Sequence, residues 1–186
     1  MTKDLPSPEF LRKLLRYEPE TGKLFWRERT PDMFKTTKAR SAEHACALWN
    51  ACWSGKEAFC NSDKDGYKKG VLLYKTYGAH RVIWAVHFGF WPKNMIDHID
   101  RNPENNRIEN LREAAASQNA CNRGLRVDNT SGYKGVFWNN LNKNWRAKIK
   151  KKGKSYYLGS FPTAEEAYAA YCQAAEKLHG EYARVE

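Results

Sequence analysis

The chain is short of acid, of long apolar runs and of paired cysteine motifs, and each shortage narrows what it can be. Asp and Glu number 21 against 32 Lys and Arg, a formal net charge of +11 and a pI near 9.4. A surface with that excess releases counterions from a phosphate backbone, so a polyanionic partner is expected. No stretch approaches the length of a membrane span, and the opening Met1-Thr-Lys-Asp-Leu-Pro lacks the apolar run of a signal peptide. These absences predict an intracellular, cytoplasmic protein with no membrane partner. The 5 cysteines contain no Cys-x-x-Cys, and their odd number leaves one unpaired, so a disulfide framework is not expected. His44, Cys46, Cys52 and Cys60 fall close together, but their spacing matches no zinc module, and they read as small side chains of a helix and its following turn rather than a structural zinc site. Cys121 and Cys172 read as fillers in helices. There is no internal repeat and no low-complexity tract.

What is present is concentrated between Met95 and Asn119. The segment runs Met95-Ile-Asp-His-Ile-Asp, then Asn105-Asn-Arg-Ile-Glu-Asn-Leu-Arg, then Ser117-Gln-Asn. A carboxylate and an amide oxygen are hard ligands suited to magnesium or manganese. A neutral imidazole beside them can take a proton from water. Met95 to Ile99 alternates as a short strand, placing Asp97 and His98 on opposite faces. Asn102-Pro-Glu-Asn-Asn is turn chemistry, Ile108 to Arg112 reads as the returning strand, and Glu113 to Asn122 reads as a helix ended by Gly124. A hairpin packed on that helix brings Asp97 and Asn119 near one point, with Asn110 the natural residue to hold His98.

Around this segment, Ser7 is expected to cap a helix from Pro8 through Tyr17, and Gly22 to Arg27 to form a strand. Residues 29–42 read as a loop, Ala42 to Ser54 as a helix, Val71 to Tyr77 as a single strand and Ala79 to Phe88 as an apolar helix backing the hairpin. His80 and His87 read as packing or capping residues.

The stretch from His80 through Arg112 closely resembles the HNH endonucleases of the homing type, with their ββα-metal core. The likeness covers residues 66 to 124 and extends weakly back to Tyr17-Glu-Pro-Glu-Thr-Gly-Lys-Leu-Phe-Trp. By position the resemblance implies His98 as general base, Asp97 and Asn119 as metal ligands, and Asn110 as the asparagine bracing the histidine loop. Asp100-Arg101 departs from the Asn-Gly that many relatives carry there.

Beyond Arg123–Gly132, a polar and glycine-containing boundary, the pattern changes. Lys134-Gly-Val-Phe-Trp-Asn, Asn144 to Lys150 and Ser155 to Phe161 read as three strands joined by Asn/Lys/Gly turns. Thr163-Ala-Glu-Glu opens a helix running through Leu178, with Ala167, Ala170, Tyr171, Ala174 and Leu178 on one face. Trp145, Ala147 and Ile149 alternate with Arg146, Lys148 and Lys150, which leaves a row of cations on one face of the sheet. Residues 134 to 154 hold eight Lys and Arg and no acid. The last 58 residues, from Ser131-Gly-Tyr-Lys-Gly-Val through Tyr157-Leu-Gly-Ser-Phe to Lys177-Leu-His-Gly-Glu-Tyr-Ala, resemble the APETALA/ERF DNA-binding domain over its whole length. The resemblance implies a sheet lying in the DNA major groove, with contacts at Lys134, Phe137, Asn139, Lys148, Lys150, Tyr157 and Tyr171; Arg146 belongs to the same cationic row.

The expected fold class is therefore α+β. Residues 1–124 form an HNH nuclease domain with its ββα-metal core at about 94–123, and residues 129–186 a three-stranded antiparallel sheet packed on one helix. The expected function is a metal-dependent, monomeric endonuclease of duplex DNA resembling phage- and intron-encoded enzymes, with magnesium or manganese as cofactor. The alternatives are a non-catalytic DNA-binding regulator that keeps the nuclease scaffold, or an RNA-directed protein.

Overall fold

The structure, a computed structural model, describes residues 5–115, 125, 128–151 and 153–180. It divides into two compact units, residues 1–113 and 114–186. The fold is α+β.

In the first unit the Phe10 amide donates to Ser7 Oγ at 3.2 Å, and Pro8 opens helix α1 (Pro8–Leu14), a position where its missing N–H costs nothing. The helix is shorter than the apolar spacing predicts. Leu15–Glu18 instead form strand β1, antiparallel to β2 (Lys23–Trp26) with Leu15 opposite Trp26 and Tyr17 opposite Leu24. So short a helix gains little from each added turn, whereas the strand gains a ladder and still buries Leu15 and Leu24. The loop that follows includes a 3-10 turn at Pro31–Met33, and α2 (Ala42–Trp53) is capped by Ser41. Strand β3 (Glu57–Ala58) then completes the first sheet in the order β1-β2-β3.

A second sheet holds β4 (Asn61–Ser62), β5 (Lys68–Leu72) and β6 (Lys75–Gly78). The single strand expected over Val71–Tyr77 is two strands. The chain reverses at Leu73 and Tyr74, at φ +48° and +61°, so that Leu72 pairs with Lys75. Neither residue is a turn former, which is why the sequence hides the hairpin. Helix α3 (Ala79–Phe88) matches its expected span and buries Ala79, Val82, Ile83, Ala85 and Val86. These pack with Leu11, Leu14, Leu15, Leu24, Ile96 and Leu111 in the unit's main core.

Strands β7 (Met95–His98) and β8 (Leu111–Ala114) make a two-stranded sheet. Ile108–Asn110 form a 3-10 turn rather than the start of the returning strand, and Glu113 and Ala114 belong to β8 rather than to a helix. The rest of that expected helix, with Asn119 and Cys121, lies outside the described residues.

The second unit has β9 (Val136–Asn139), β10 (Asn144–Lys151) and β11 (Lys154–Phe161) in the order β11-β10-β9, followed by α4 (Ala164–His179). These spans agree with the sequence to within a residue or two. Thr163 caps α4, its Oγ1 accepting from the Glu166 amide at 3.2 Å. Val136, Ala147 and Ile149 from the sheet meet Ala164, Ala167, Tyr171 and Ala175 from the helix. Among the described residues, no helix is long and apolar enough to cross a membrane.

Candidate functional site

The β7 strand ends in the Asp97-His98 pair, and both side chains are buried, at 5% and 4% exposure. A buried charge must be compensated, and Asp97 Oδ2 accepts from Arg112 Nε at 3.0 Å and lies 2.9 Å from Arg112 Nη2. Arg112 comes from the neighbouring strand β8, so pairing of the two strands supplies the counter-charge.

His98 bonds to Asn106, not to Asn110. Its Nε2 lies 3.0 Å from Asn106 Oδ1, and Asn106 is itself only 3% exposed. An amide oxygen only accepts, so this contact assigns the ring proton to Nε2 and the lone pair to Nδ1. Burial pushes the His98 imidazole below its ordinary pKa, against the bond from Asn106 and the nearby charges of Asp100 and Asp97. The imidazole is therefore neutral and lone-pair bearing at physiological pH.

Asn110 does something different. Its Nδ2 donates to Asp100 Oδ1 and to the Asn105 carbonyl, both at 2.8 Å. Its Oδ1 accepts from the Asp100 amide at 2.9 Å, and its carbonyl accepts from the Ile99 amide at 2.9 Å. Asn110 therefore braces the loop that leaves His98 and makes no hydrogen bond to the imidazole. Asp100 is the hub of that loop. Partial burial raises its pKa, but donors from Asn105, Asn102 and Asn110 outweigh burial and hold it low. Arg101 sits at φ +65°, so the turn holds a full side chain in a left-handed position that glycine adopts more readily.

Two residues from outside the motif also pack against the histidine. The His80 ring, at the start of α3, packs edge-on to His98 at 5.6 Å between centroids, and Tyr67 packs on both rings at 5.6 and 5.7 Å. Burial, with His98 and Arg81 adding to it, pushes His80 down to about 4. The loop itself is clamped from the N-terminal hairpin. Tyr17 Oη donates to the Asn106 carbonyl at 3.2 Å and accepts from the Ile108 amide at 2.8 Å. Gly22, at φ +73°, approaches so closely that a Cβ there would lie 2.6 Å from the Arg107 nitrogen. Lys68 adds an ion pair to Glu104 at 2.8 Å.

Asn106, Tyr67, Tyr17 and Arg112 are not singled out by the sequence, which reads His80 as a packing or capping residue, as its ring contact with His98 bears out. Arg112 carries the one usable signal, a cation on the strand facing an acid-bearing strand. Asn106 reads only as part of an asparagine-rich turn. Asn119, the second proposed ligand, lies outside the described residues. Among the described residues, no group of three His, Cys, Asp or Glu side chains gathers as a metal cage.

In the second unit, β10 aligns Arg146 with Phe137 on β9 and Lys148 with Tyr157 on β11. Lys148 Nζ lies 4.7 Å from the Phe137 ring centre, and the Arg146 guanidinium 5.8 Å from that of Tyr157. With its amide oxygen facing Arg146, Asn139 accepts from Nε and Nη2 at 3.1 and 2.9 Å. Lys150 is exposed on the same strand face, and Lys134 stands in the turn before β9. Tyr171 departs from the expectation. It is 5% exposed in the core between sheet and helix, and its ring fills the space where a Cβ on Gly135 would lie 2.4 Å away. It is a packing residue beneath the sheet rather than part of the open face.

Residues 77–121 match the family model of the HNH endonucleases and residues 131–181 that of the AP2 domain. Over 113 residues the chain is 36% identical to Protein 3.8 of Escherichia phage T7, covering 60% of this chain and 93% of that protein. It is also 36% identical over 122 residues to the uncharacterized HNH endonuclease L560 of Acanthamoeba polyphaga mimivirus, covering 64% of this chain and 62% of that one. A solved structure, of DNA binding and cleavage by the HNH homing endonuclease I-HmuI, aligns over 92% of this chain and 86% of its own at 20% identity, with a TM-score of 0.37.

Proposed function

The chain belongs to the HNH endonuclease family, and on that premise we propose that it is a metal-dependent endonuclease of the homing type that hydrolyses phosphodiester bonds in duplex DNA. The observation that carries the reading is His98, buried, held neutral and fixed by Asn106 in one tautomer beside a buried carboxylate. With the proton on Nε2, Nδ1 takes the proton from water that attacks phosphorus in line. Asn110 and Asp100 keep the loop in register with the strand, so that the imidazole is oriented before DNA arrives.

The donor set fits a hard divalent ion. Asp97 offers a carboxylate and Asn119 an amide oxygen, and magnesium commonly uses one or two protein oxygens, completing its shell with water and phosphate. Such an ion, when bound, stabilises charge developing on the phosphate and the leaving oxygen. Arg112 trims the charge of Asp97 and fixes its orientation.

For the C-terminal unit we propose duplex DNA as the partner of the open sheet face, through Arg146, Lys148 and Lys150 with Phe137, Asn139 and Tyr157, and with Lys134 at its edge. A sheet of this width fits a major groove. One observation favours the non-catalytic alternative. The Arg112 pair already satisfies Asp97 Oδ2, as it would in a scaffold that binds DNA without cutting it.

Supercoiled plasmid incubated with the full chain separates the two. The proposal expects nicked or linear product with magnesium and none with a chelator. Tight binding with no magnesium-dependent product would establish the regulator instead.

A further inference from the structure

Away from His98, the first unit carries a second feature whose residues have no role in that chemistry. Strand β5 leaves the His98 pocket beside Tyr67 and ends in the two-residue turn Leu73-Tyr74. Positive φ at both central positions is the geometry that Asn-Gly adopts readily and that larger residues resist. The sequence nonetheless places Leu and Tyr there and exposes them, at 56% and 102%. Folding alone does not favour that choice.

Beside the turn lies a cleft of about 600 Å³ whose lining includes Phe10, Lys13, Arg29, Asp32, Leu73 and Tyr74. The Arg29 guanidinium lies 3.7 Å from the centre of the Trp49 ring, with Trp26 and Phe34 at 5.5 and 5.9 Å. Its Nε is buried with no hydrogen-bond partner. Two cations against the single carboxylate of Asp32 leave the cleft positive. Stacking on aromatics holds the planar guanidinium rigid, which suits recognition of a phosphate.

We infer that the Leu73-Tyr74 tip and this cleft form a second duplex-DNA contact. Arg29 and Lys13 take a backbone phosphate, and the two apolar side chains wedge against neighbouring bases. The inference rests on the nuclease reading and adds a place to it. Tyr67 packs 5.7 Å from His98, and the five residues of β5 span about 16 Å at the usual rise of a strand. Together the two lengths place the wedge on the duplex within roughly six to seven base steps of the bond cut, at a rise of about 3.4 Å per step.

The test compares the full chain with Leu73→Asn/Tyr74→Gly and with Lys13→Gln. Each is titrated into a short random-sequence duplex, and into the matching single strand, over a series of salt concentrations. Thermal unfolding and magnesium-dependent plasmid nicking are measured in parallel. The Asn-Gly turn is expected to raise the melting temperature by relieving the turn, yet to weaken duplex binding roughly tenfold, the scale of one lost base-stacking contact. Lys13→Gln is expected to keep the melting temperature and lower the salt slope by about one unit. Wild-type duplex affinity in the turn variant overturns the inference, as does a loss confined to the single strand. An unchanged salt slope in Lys13→Gln removes the cleft from it. Nicking by the wild type alongside either result leaves the nuclease reading standing, whereas a wild type that neither binds nor nicks the duplex removes both.

Discussion

Tyr17 and Asn106, 89 positions apart, are joined by a 3.2 Å hydrogen bond from the phenol to the asparagine carbonyl. Through that bond the N-terminal hairpin holds the residue that orients His98. On the proposed mechanism, Asn106→Ala is expected to lower cleavage roughly ten- to a hundredfold, as loss of an orienting partner commonly does. DNA affinity should be unchanged. Asn106→Asp places a carboxylate against the imidazole and raises its pKa, so the pH at half-maximal rate should move upward. A variant with lower activity at every pH and an unmoved midpoint would reduce Asn106 to a structural role.

His98→Ala should abolish plasmid cleavage while leaving binding intact, since general-base loss costs about a hundredfold or more. Asp97→Ala and Asn119→Ala should each raise the magnesium needed for half-maximal activity, with Asn119→Ala more readily rescued because the neutral ligand contributes less. Identical magnesium titrations for wild type and both variants would remove these two residues from the metal site.

His80 sets a pH limit on stability. Its ordinary value of 6.5 falls to about 4 on folding, so its contribution is complete above pH 6.5 and is lost as pH falls toward 4. The unfolded chain takes up the proton first. The linked loss is on the order of 2–3 kcal/mol. His80→Phe keeps a ring against His98 and should flatten the dependence of the denaturation midpoint between pH 7 and 4. An unaltered slope in that variant would place the acid sensitivity elsewhere.

Arg101 occupies a left-handed position that glycine adopts without strain. Arg101→Gly should therefore stabilise the loop by about 1 kcal/mol. Chemical denaturation of the two proteins measures it, and a destabilised glycine variant would show that the arginine side chain contributes more than its backbone costs.

On the open face of the C-terminal sheet, Arg146→Gln, Lys148→Gln and Lys150→Gln combined should weaken duplex binding and reduce the log-log salt slope by roughly three units, one per phosphate contact. Each alone should lose about one. Tyr171→Phe, beneath the sheet, should leave the slope unchanged.

The sequence by itself determined the Asp97-His98 pair, the caps at Ser7 and Thr163, helix α3 and the three strands of the second unit. All of these are written in signals a few residues long: alternation, helical spacing, a capping side chain. Only the tertiary structure decided that residues 15–18 pair as a strand and that the chain reverses at Leu73-Tyr74, and it chose the helix-face reading of Tyr171 over its place among the DNA contacts. It alone showed that His98 is held by Asn106 and packed by His80, while Asn110 braces the loop beyond. Local spacing cannot choose among several asparagines in one turn, because their conformations are nearly equivalent until something distant restricts them. Here the restriction comes from Tyr17, Gly22 and α3, brought to the loop by burial of the apolar core. The Asp97-His98 pair was legible in a short run of residues, and the setting of His98 depended on contacts some ninety positions away.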